Sequence, residues 1–264
     1  MVTSILITAL VVGAVGLIIG FLLVTAGEKF KVQVDEREAA VRAELPGNNC
    51  GGCGYPGCDG LAAAIVKGDA PTNACPVGGA VVGAKISAIM GVASEDLGKR
   101  VAFVRCSGDC NSAVSDCKYI GIQDCRAAAV VPGKGAKRCI NGCRGYGSCI
   151  TVCKFDAIHV ENGVAVVNPL NCVGCGKCVQ ACPNGLITLI PEHTAYMVAC
   201  SSQEKGKAVK ESCSAGCIGC TLCTKQCEYG AISMNGNVSV IDPDKCQACG
   251  KCAEKCPVKV IRKR

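Results

Sequence analysis

The cysteines of this chain fall into runs of fixed spacing. Cys172-x2-Cys175-x2-Cys178-x3-Cys182-Pro183 and Cys246-x2-Cys249-x2-Cys252-x3-Cys256-Pro257 share one pattern, and Cys217-x2-Cys220-x2-Cys223-x3-Cys227 lacks only the proline. In such a run three thiolates hold one [4Fe–4S] cube and the fourth reaches across to a second. Three runs within 85 residues oblige the chain to fold around metal sites.

Of 264 residues, 26 are cysteine, a density met in disulfide scaffolds, zinc proteins and iron–sulfur proteins. Cys-x2-Cys spacing is too tight to cross-link distant loops. Zinc ribbons separate two Cys-x2-Cys knuckles by about 15–20 residues, which a continuous run does not do. Soft thiolates in continuous runs select iron–sulfur clusters. The chain has no Trp, 3% aromatic residues and 33 Gly, so large core-forming side chains are scarce. Metal–thiolate bonds must supply much of the folding energy, and the metal-free chain is expected to be largely unfolded beyond its first helix. The formal charge of +7 counts thiols as neutral. Five clusters at about −2 each more than cancel it. The basic residues therefore read as compensation for anionic clusters, and nucleic acid is excluded as a partner.

Ile5 to Gly27 carries no charged side chain and is long enough for a single membrane-spanning helix. Lys29, Lys31, Arg37 and Arg42 follow it and no basic residue precedes it. The asymmetry predicts a single-pass anchor in the cytoplasmic membrane with the cysteine-rich part in the cytoplasm. A signal peptide would need a basic start and a shorter apolar core. The expected architecture is α+β: an anchor over 1–27, a stalk over 28–45 with a polar helix from Glu36 to Leu45, and a small helical domain over 46–98. Two tandem modules follow, over 99–193 and 194–264. In the small domain, Asp59 is expected to cap a helix over Leu61–Val66, ended by Pro71, and a second helix covers Val77–Met90. Cys153 to Cys172 and Cys227 to Cys246 have the same separation of 19. Each interval reads as a hairpin, Ala157–Val160 with Val164–Val167 across Asn162-Gly163, and Ala231–Met234 with Val238–Ile241 across Asn235-Gly236. Val101–Val104 before Cys106 and Ala195–Ala199 before Cys200 repeat one another, so the modules read as a duplication.

The crossing rule assigns candidate ligands. In the second module Cys217, Cys220, Cys223 and Cys256 form one set, and Cys227, Cys246, Cys249 and Cys252 the other. In the first module Cys153, Cys172, Cys175 and Cys178 form one set. Cys139, Cys143, Cys149 and Cys182 form its mate, from a run stretched to Cys139-x3-Cys143-x5-Cys149-x3-Cys153. The small domain supplies Cys50, Cys53, Cys58 and Cys75. That makes five [4Fe–4S] clusters. Six cysteines remain. Cys106, Cys125, Cys200 and Cys213 are the candidates for a sixth cluster, against a set of Cys106, Cys110, Cys117 and Cys125 or buried free thiols. His159 and His193 read as structural, and Arg262-Lys263-Arg264 as a solvated tail. No nucleotide-binding loop and no catalytic triad can be named, so no catalytic residue is assigned.

The apolar amino terminus, the Cys50-Gly-Gly-Cys53-Gly-Tyr-Pro-Gly-Cys58…Cys75-Pro76 domain and the tandem modules together resemble the B subunit of Rnf-type ion-translocating ferredoxin:NAD⁺ oxidoreductases, in their cluster-rich form. The resemblance covers essentially the whole chain. It implies an electron-relay protein that takes electrons from reduced ferredoxin and passes them through its clusters to membrane partners. The whole complex couples that flow to Na⁺ or H⁺ translocation and NAD⁺ reduction. A single helix without intramembrane charge offers no ion pathway of its own. The alternative is a polyferredoxin wiring another membrane oxidoreductase of hydrogenase or formate dehydrogenase type, which the Cys50–Cys75 domain disfavours. Ferredoxin is expected to dock beside Lys225, Lys251, Lys255 and Lys259, with Lys134, Lys137 and Arg138 as the rival surface.

Overall fold

The apolar amino terminus forms helix α1, Val2–Lys29. The computed structural model describes residues 2–29, 35–93 and 98–264, without the side chains of 2–6, 8, 9, 11, 28 and 29. The described apolar side chains of α1, among them Leu10, Leu17 and Phe21, stand exposed. Among the described residues no helix is long and apolar enough to cross a membrane. The expected anchor and its orientation rest partly on Lys31 and on side chains, Lys29 included, outside that description.

Helix α2, Glu36–Glu44, begins at Asp35, whose carboxylate accepts the Arg37 amide, and ends at Leu45 before Pro46. It is not a detached stalk. Val41 and Leu45 are buried against Leu61, Ile65 and Ile86 of α3, Gly57–Lys67, and α4, Gly79–Met90. Asp59 lies inside the first turn of α3 rather than capping it, and reaches Arg42 of α2 at 2.6 Å. The helix stops at Gly68, three residues before Pro71, because a left-handed residue there (φ 83°) returns its amide to Ala64 and Ile65.

In the first module β1, Arg100–Val104, leads through α5, Cys125–Ala129, and α6, Ser148–Thr151, to the hairpin β2, Ile158–Glu161, and β3, Val164–Val167. Then α7, Lys177–Ala181, and β4, Ile187–Pro191, close the module, with β4 antiparallel to β1 in the register Val101↔Ile190. The second module repeats this. β5, Tyr196–Val198, precedes α8, Lys207–Ser212, α9, Leu222–Gln226, the hairpin β6, Ile232–Asn235, and β7, Val238–Ile241, α10, Lys251–Glu254, and β8, Ile261–Lys263, which pairs back on β5. The closing strands β4 and β8 went unread in the sequence, because each is short and follows directly on a cysteine run.

Both hairpins form, each shifted by one residue from the expected first strand. Glu161↔Val164 frames Asn162-Gly163, both at positive φ, whereas Asn235↔Val238 frames Gly236-Asn237, so Asn235 belongs to the strand. A two-residue loop opening on Gly satisfies the hairpin twist as well as Asn-Gly does. Ile158, Ile187 and Ile190 of the first module and Met197, Ile232, Ile241 and Ile261 of the second share one apolar core. The carboxy terminus is exposed but anchored: Arg264 donates to the carbonyls of Pro191 and Glu192 in the first module, so it is no free tail.

Candidate metal centres

Each module gathers thiols by the same local device. A left-handed residue (Gly176, Thr221 or Gly250) turns the chain into a one-turn helix whose cysteines face inward. The crossing then follows from length: α7 starts beside Cys175 and Cys178 and ends at Cys182, one turn further along.

Cys153, Cys172, Cys175 and Cys178 surround one cavity (site 2) and Cys217, Cys220, Cys223 and Cys256 another (site 5). Cys227, Cys246, Cys249 and Cys252 surround a third (site 6). All three sets are those assigned from spacing. In the small domain (site 1) the Cys75 thiol is pushed up by burial and by the nearby charges of Cys58 and Cys53, while the Gly78 amide donates to it at 3.4 Å. Cys50 lies toward Cys175 of site 2.

The remaining two cavities differ from expectation. One (site 3) is lined by Cys125, Cys143, Cys149 and Cys182, and the other (site 4) by Cys106, Cys139, Cys200 and Cys213. Cys125 and Cys139 have exchanged places relative to the sequence reading. The duplication explains why. Cys139-x3-Cys143-x5-Cys149-x3-Cys153 matches Cys213-x3-Cys217-x5-Cys223-x3-Cys227 position for position, so Cys139 corresponds to Cys213 and Tyr146 stands where the second module has Cys220. The run was never stretched; it lacks one cysteine. Between Cys106 and Cys139 lie 32 residues, against 12 between Cys200 and Cys213, and this longer segment brings Cys125 to fill the gap. It is held there by a network. Asp124 caps α5 by accepting the amides of Arg126 and Ala127 and accepts the Ser148 hydroxyl at 2.6 Å, and that hydroxyl accepts the Cys125 amide at 2.8 Å. Ser148 neighbours Cys149, so one side chain places two thiols.

Site 4 draws two cysteines from each module and sits at their joint. Around it Val114 donates to the Ser212 carbonyl and Ser201 to the Arg105 carbonyl, tying the modules together. Cys110 and Cys117 lie outside all these sets and are exposed. His159 sits at the surface beside Asp156. Of the rival basic surface, Lys137 is partly buried with its ammonium on the carbonyls of Gly108 and Gly163, and Arg138 pairs with Asp116.

The donor sets fit [4Fe–4S] cubes. Among the described residues no group of three or more His, Cys, Asp or Glu is placed to hold a metal ion. The thiols stand instead around shared cavities at sites 3 and 4, as a cube requires when each sulfur ligates a different iron. Burial, then Cys143, Cys125 and Cys182, push Cys149 up to about 12. Burial with the neighbouring thiols pushes Cys178 and Cys252 to about 11. Such sets cannot ionise together without a cation, and metal binding removes their protons. Peptide amides already aim at the sulfurs, from Ala102 to Cys172 at 3.3 Å and from Leu186 to Cys182 at 3.4 Å. Two buried donors in the cavity walls, Ser107 Oγ at site 4 and Arg144 Nε at site 3, find no hydrogen-bond partner among the described residues. Buried donors rarely stay unpaired, and a sulfide-rich group would accept them.

Fold and sites together define an iron–sulfur electron-transfer protein of the polyferredoxin kind. Residues 45–77 match an Fe-S cluster domain, 165–188 a 4Fe-4S binding domain and 216–260 a 4Fe-4S dicluster domain. The chain is 48% identical to the B subunit of the Na⁺-translocating ferredoxin:NAD⁺ oxidoreductase complex of Acetobacterium woodii, over 99% of its own length and 78% of that protein's. It is 40% identical to the B subunit of the ion-translocating oxidoreductase complex of Methanosarcina acetivorans, over 99% and 100% of the two chains. To the B subunit of the proton-translocating ferredoxin:NAD⁺ oxidoreductase complex of Clostridium ljungdahlii it is 38% identical, over 98% and 92%. The chain belongs to this family of ion-translocating oxidoreductase B subunits, as its motifs implied.

Proposed function

We propose that the chain relays electrons from reduced ferredoxin to redox partners in the membrane, within a complex that couples the flow to Na⁺ or H⁺ translocation and NAD⁺ reduction. Six sets of four thiolates would hold [4Fe–4S] clusters: Cys50/53/58/75, Cys153/172/175/178, Cys125/143/149/182, Cys106/139/200/213, Cys217/220/223/256 and Cys227/246/249/252. Clusters of this kind, when bound, supply one-electron carriers. The observation that carries the reading is the unbroken adjacency of the sets. Gly52, beside Cys53 of site 1, touches Cys175 of site 2; α7 joins sites 2 and 3; the Cys143 amide reaches Cys106 of site 4; the Cys217 amide reaches Cys200; and α9 carries Cys223 of site 5 to Cys227 of site 6. The protein's part is to hold the thiolates in order within walls that are mostly apolar.

We assign the charge-free stretch Ile5–Gly27 as a single membrane anchor at the end nearest site 1, with the cysteine-rich part in the cytoplasm. Protease added to inverted vesicles should then release that part, and protease on right-side-out vesicles should leave it intact. The relay itself is tested on the anaerobically purified chain. About 24 iron with equal acid-labile sulfide, four per cluster, and rapid reduction by reduced ferredoxin are expected. Stoichiometric zinc, or iron inert to ferredoxin, would refute it.

A further inference from the structure

Sites 3 and 5 occupy equivalent places in the duplicated modules, which makes each a control for the other. Their walls differ at several positions, among them Ala165 against Ser239 and Ser148 against Leu222, but a charged side chain and the amide that holds it enter at only two. Where site 5 has Ile218 and Val258, site 3 has Arg144 and Asn184. Asn184 is fixed by donating its amide to the carbonyls of Ile140 at 3.2 Å and Gly142 at 2.8 Å. Its carbonyl oxygen accepts Arg144 Nη2 at 2.9 Å. The guanidinium is thus held in the wall of site 3, and its buried Nε has no hydrogen-bond partner among the described residues. Asn184 follows Cys182-Pro183 directly, so the bracket and the ligand come from one turn of chain.

An arginine stays protonated at any working pH. Reduction adds a negative charge to a cluster that is already anionic, and a fixed cation in an apolar wall stabilises the reduced state more than the oxidised one. A hydrogen bond to sulfur acts in the same direction. We propose that Arg144, oriented by Asn184, donates from Nε to the cluster held by Cys125, Cys143, Cys149 and Cys182 and sets the reduction potential of that site above that of its duplicate, Cys217/Cys220/Cys223/Cys256. The chain then favours electron residence in the first module over the second, toward the small domain. The inference rests on the reading that these thiols bind clusters.

The test makes site 3 resemble site 5. Arg144→Ile with Asn184→Val places at these two positions the side chains the same fold already carries at site 5, and Arg144→Gln keeps a neutral donor for Asn184. Iron content and the midpoint potentials of the holo chain, followed by the magnetic spectra of the reduced clusters, are measured for each. The expected result is full iron, one site shifted to lower potential in both variants, and the others unchanged. Full iron with unchanged potentials overturns the proposal. So does loss of about four iron from both variants, since Arg144 would then be only a structural brace. Cys125→Ser separates the two levels: unchanged iron there refutes the cluster site itself, whatever Arg144 does.

Discussion

The backbone amide of Cys143 donates to the Cys106 sulfur at 3.3 Å, and across the joint the Cys217 amide does the same for Cys200. Each strand-end cysteine is thus tied to the matching position of the cysteine run in its own module. Site 4 is built symmetrically from the two strand-end cysteines and the two that open the runs. The relation makes ligand membership testable by pairs of substitutions rather than singly.

Cys106→Ser with Cys139→Ser should remove about four iron, because both belong to one site, whereas Cys139→Ser with Cys143→Ser should remove about eight. The reverse pattern would restore the assignment read from spacing alone. Cys110→Ser with Cys117→Ser should leave iron unchanged.

Asp124 holds Cys125 in place through Ser148. Its carboxyl lies below its ordinary 3.8, chiefly because the Ser148 hydroxyl donates to it, with the Ala127 and Arg126 amides adding to the effect. A depressed carboxyl contributes stability above its unfolded pKa and loses it as pH falls through the folded value. Asp124→Asn should therefore bleach at a lower temperature than the wild type at pH 7, and the gap should close on acidification. A gap that stays constant with pH would mean the charge is irrelevant.

A Cβ on Gly52 would sit 2.8 Å from the Cys175 Cβ and 3.0 Å from its carbonyl oxygen. Gly52→Leu should push the small domain off the first module at a cost of about 1–3 kcal/mol, typical of overpacking. Faster proteolytic release of the small domain, with full iron, is expected. An unchanged cleavage rate would show that the contact is dispensable.

Ferredoxin docking is expected at the second module. Lys225, Lys255 and Lys259 are exposed and, among the described residues, make no ion pair, whereas Lys251 is held by Glu228 at 2.6 Å. Reversing the three charges should slow reduction by an acidic ferredoxin by about 10-fold or more at low salt and little at high salt. A rate indifferent to both would move the docking site elsewhere.

Twelve of the proposed ligands in the modules were legible because a strict x2-x2-x3 run fixes its own geometry: three thiols within one loop and a fourth one helical turn on. Both hairpins were legible for the same local reason. Site 4 was only half legible. Its halves come from the two modules, with Cys106 and Cys200 each two residues beyond a first strand, and meet only where the modules pack, and Cys139 took its place by matching Cys213 rather than by spacing within its own run. Cys125 became a neighbour of Cys149 only through the Asp124–Ser148 network, which a segment of 32 residues had to fold to create. Arg144 and Asn184 had no signal beyond their identity until the duplicate wall, Ile218 and Val258, gave them a contrast. Local spacing determines which thiols can share a cube within one loop. Which distant thiols and cations share a cavity depends on how the modules pack, and only the tertiary structure decides that.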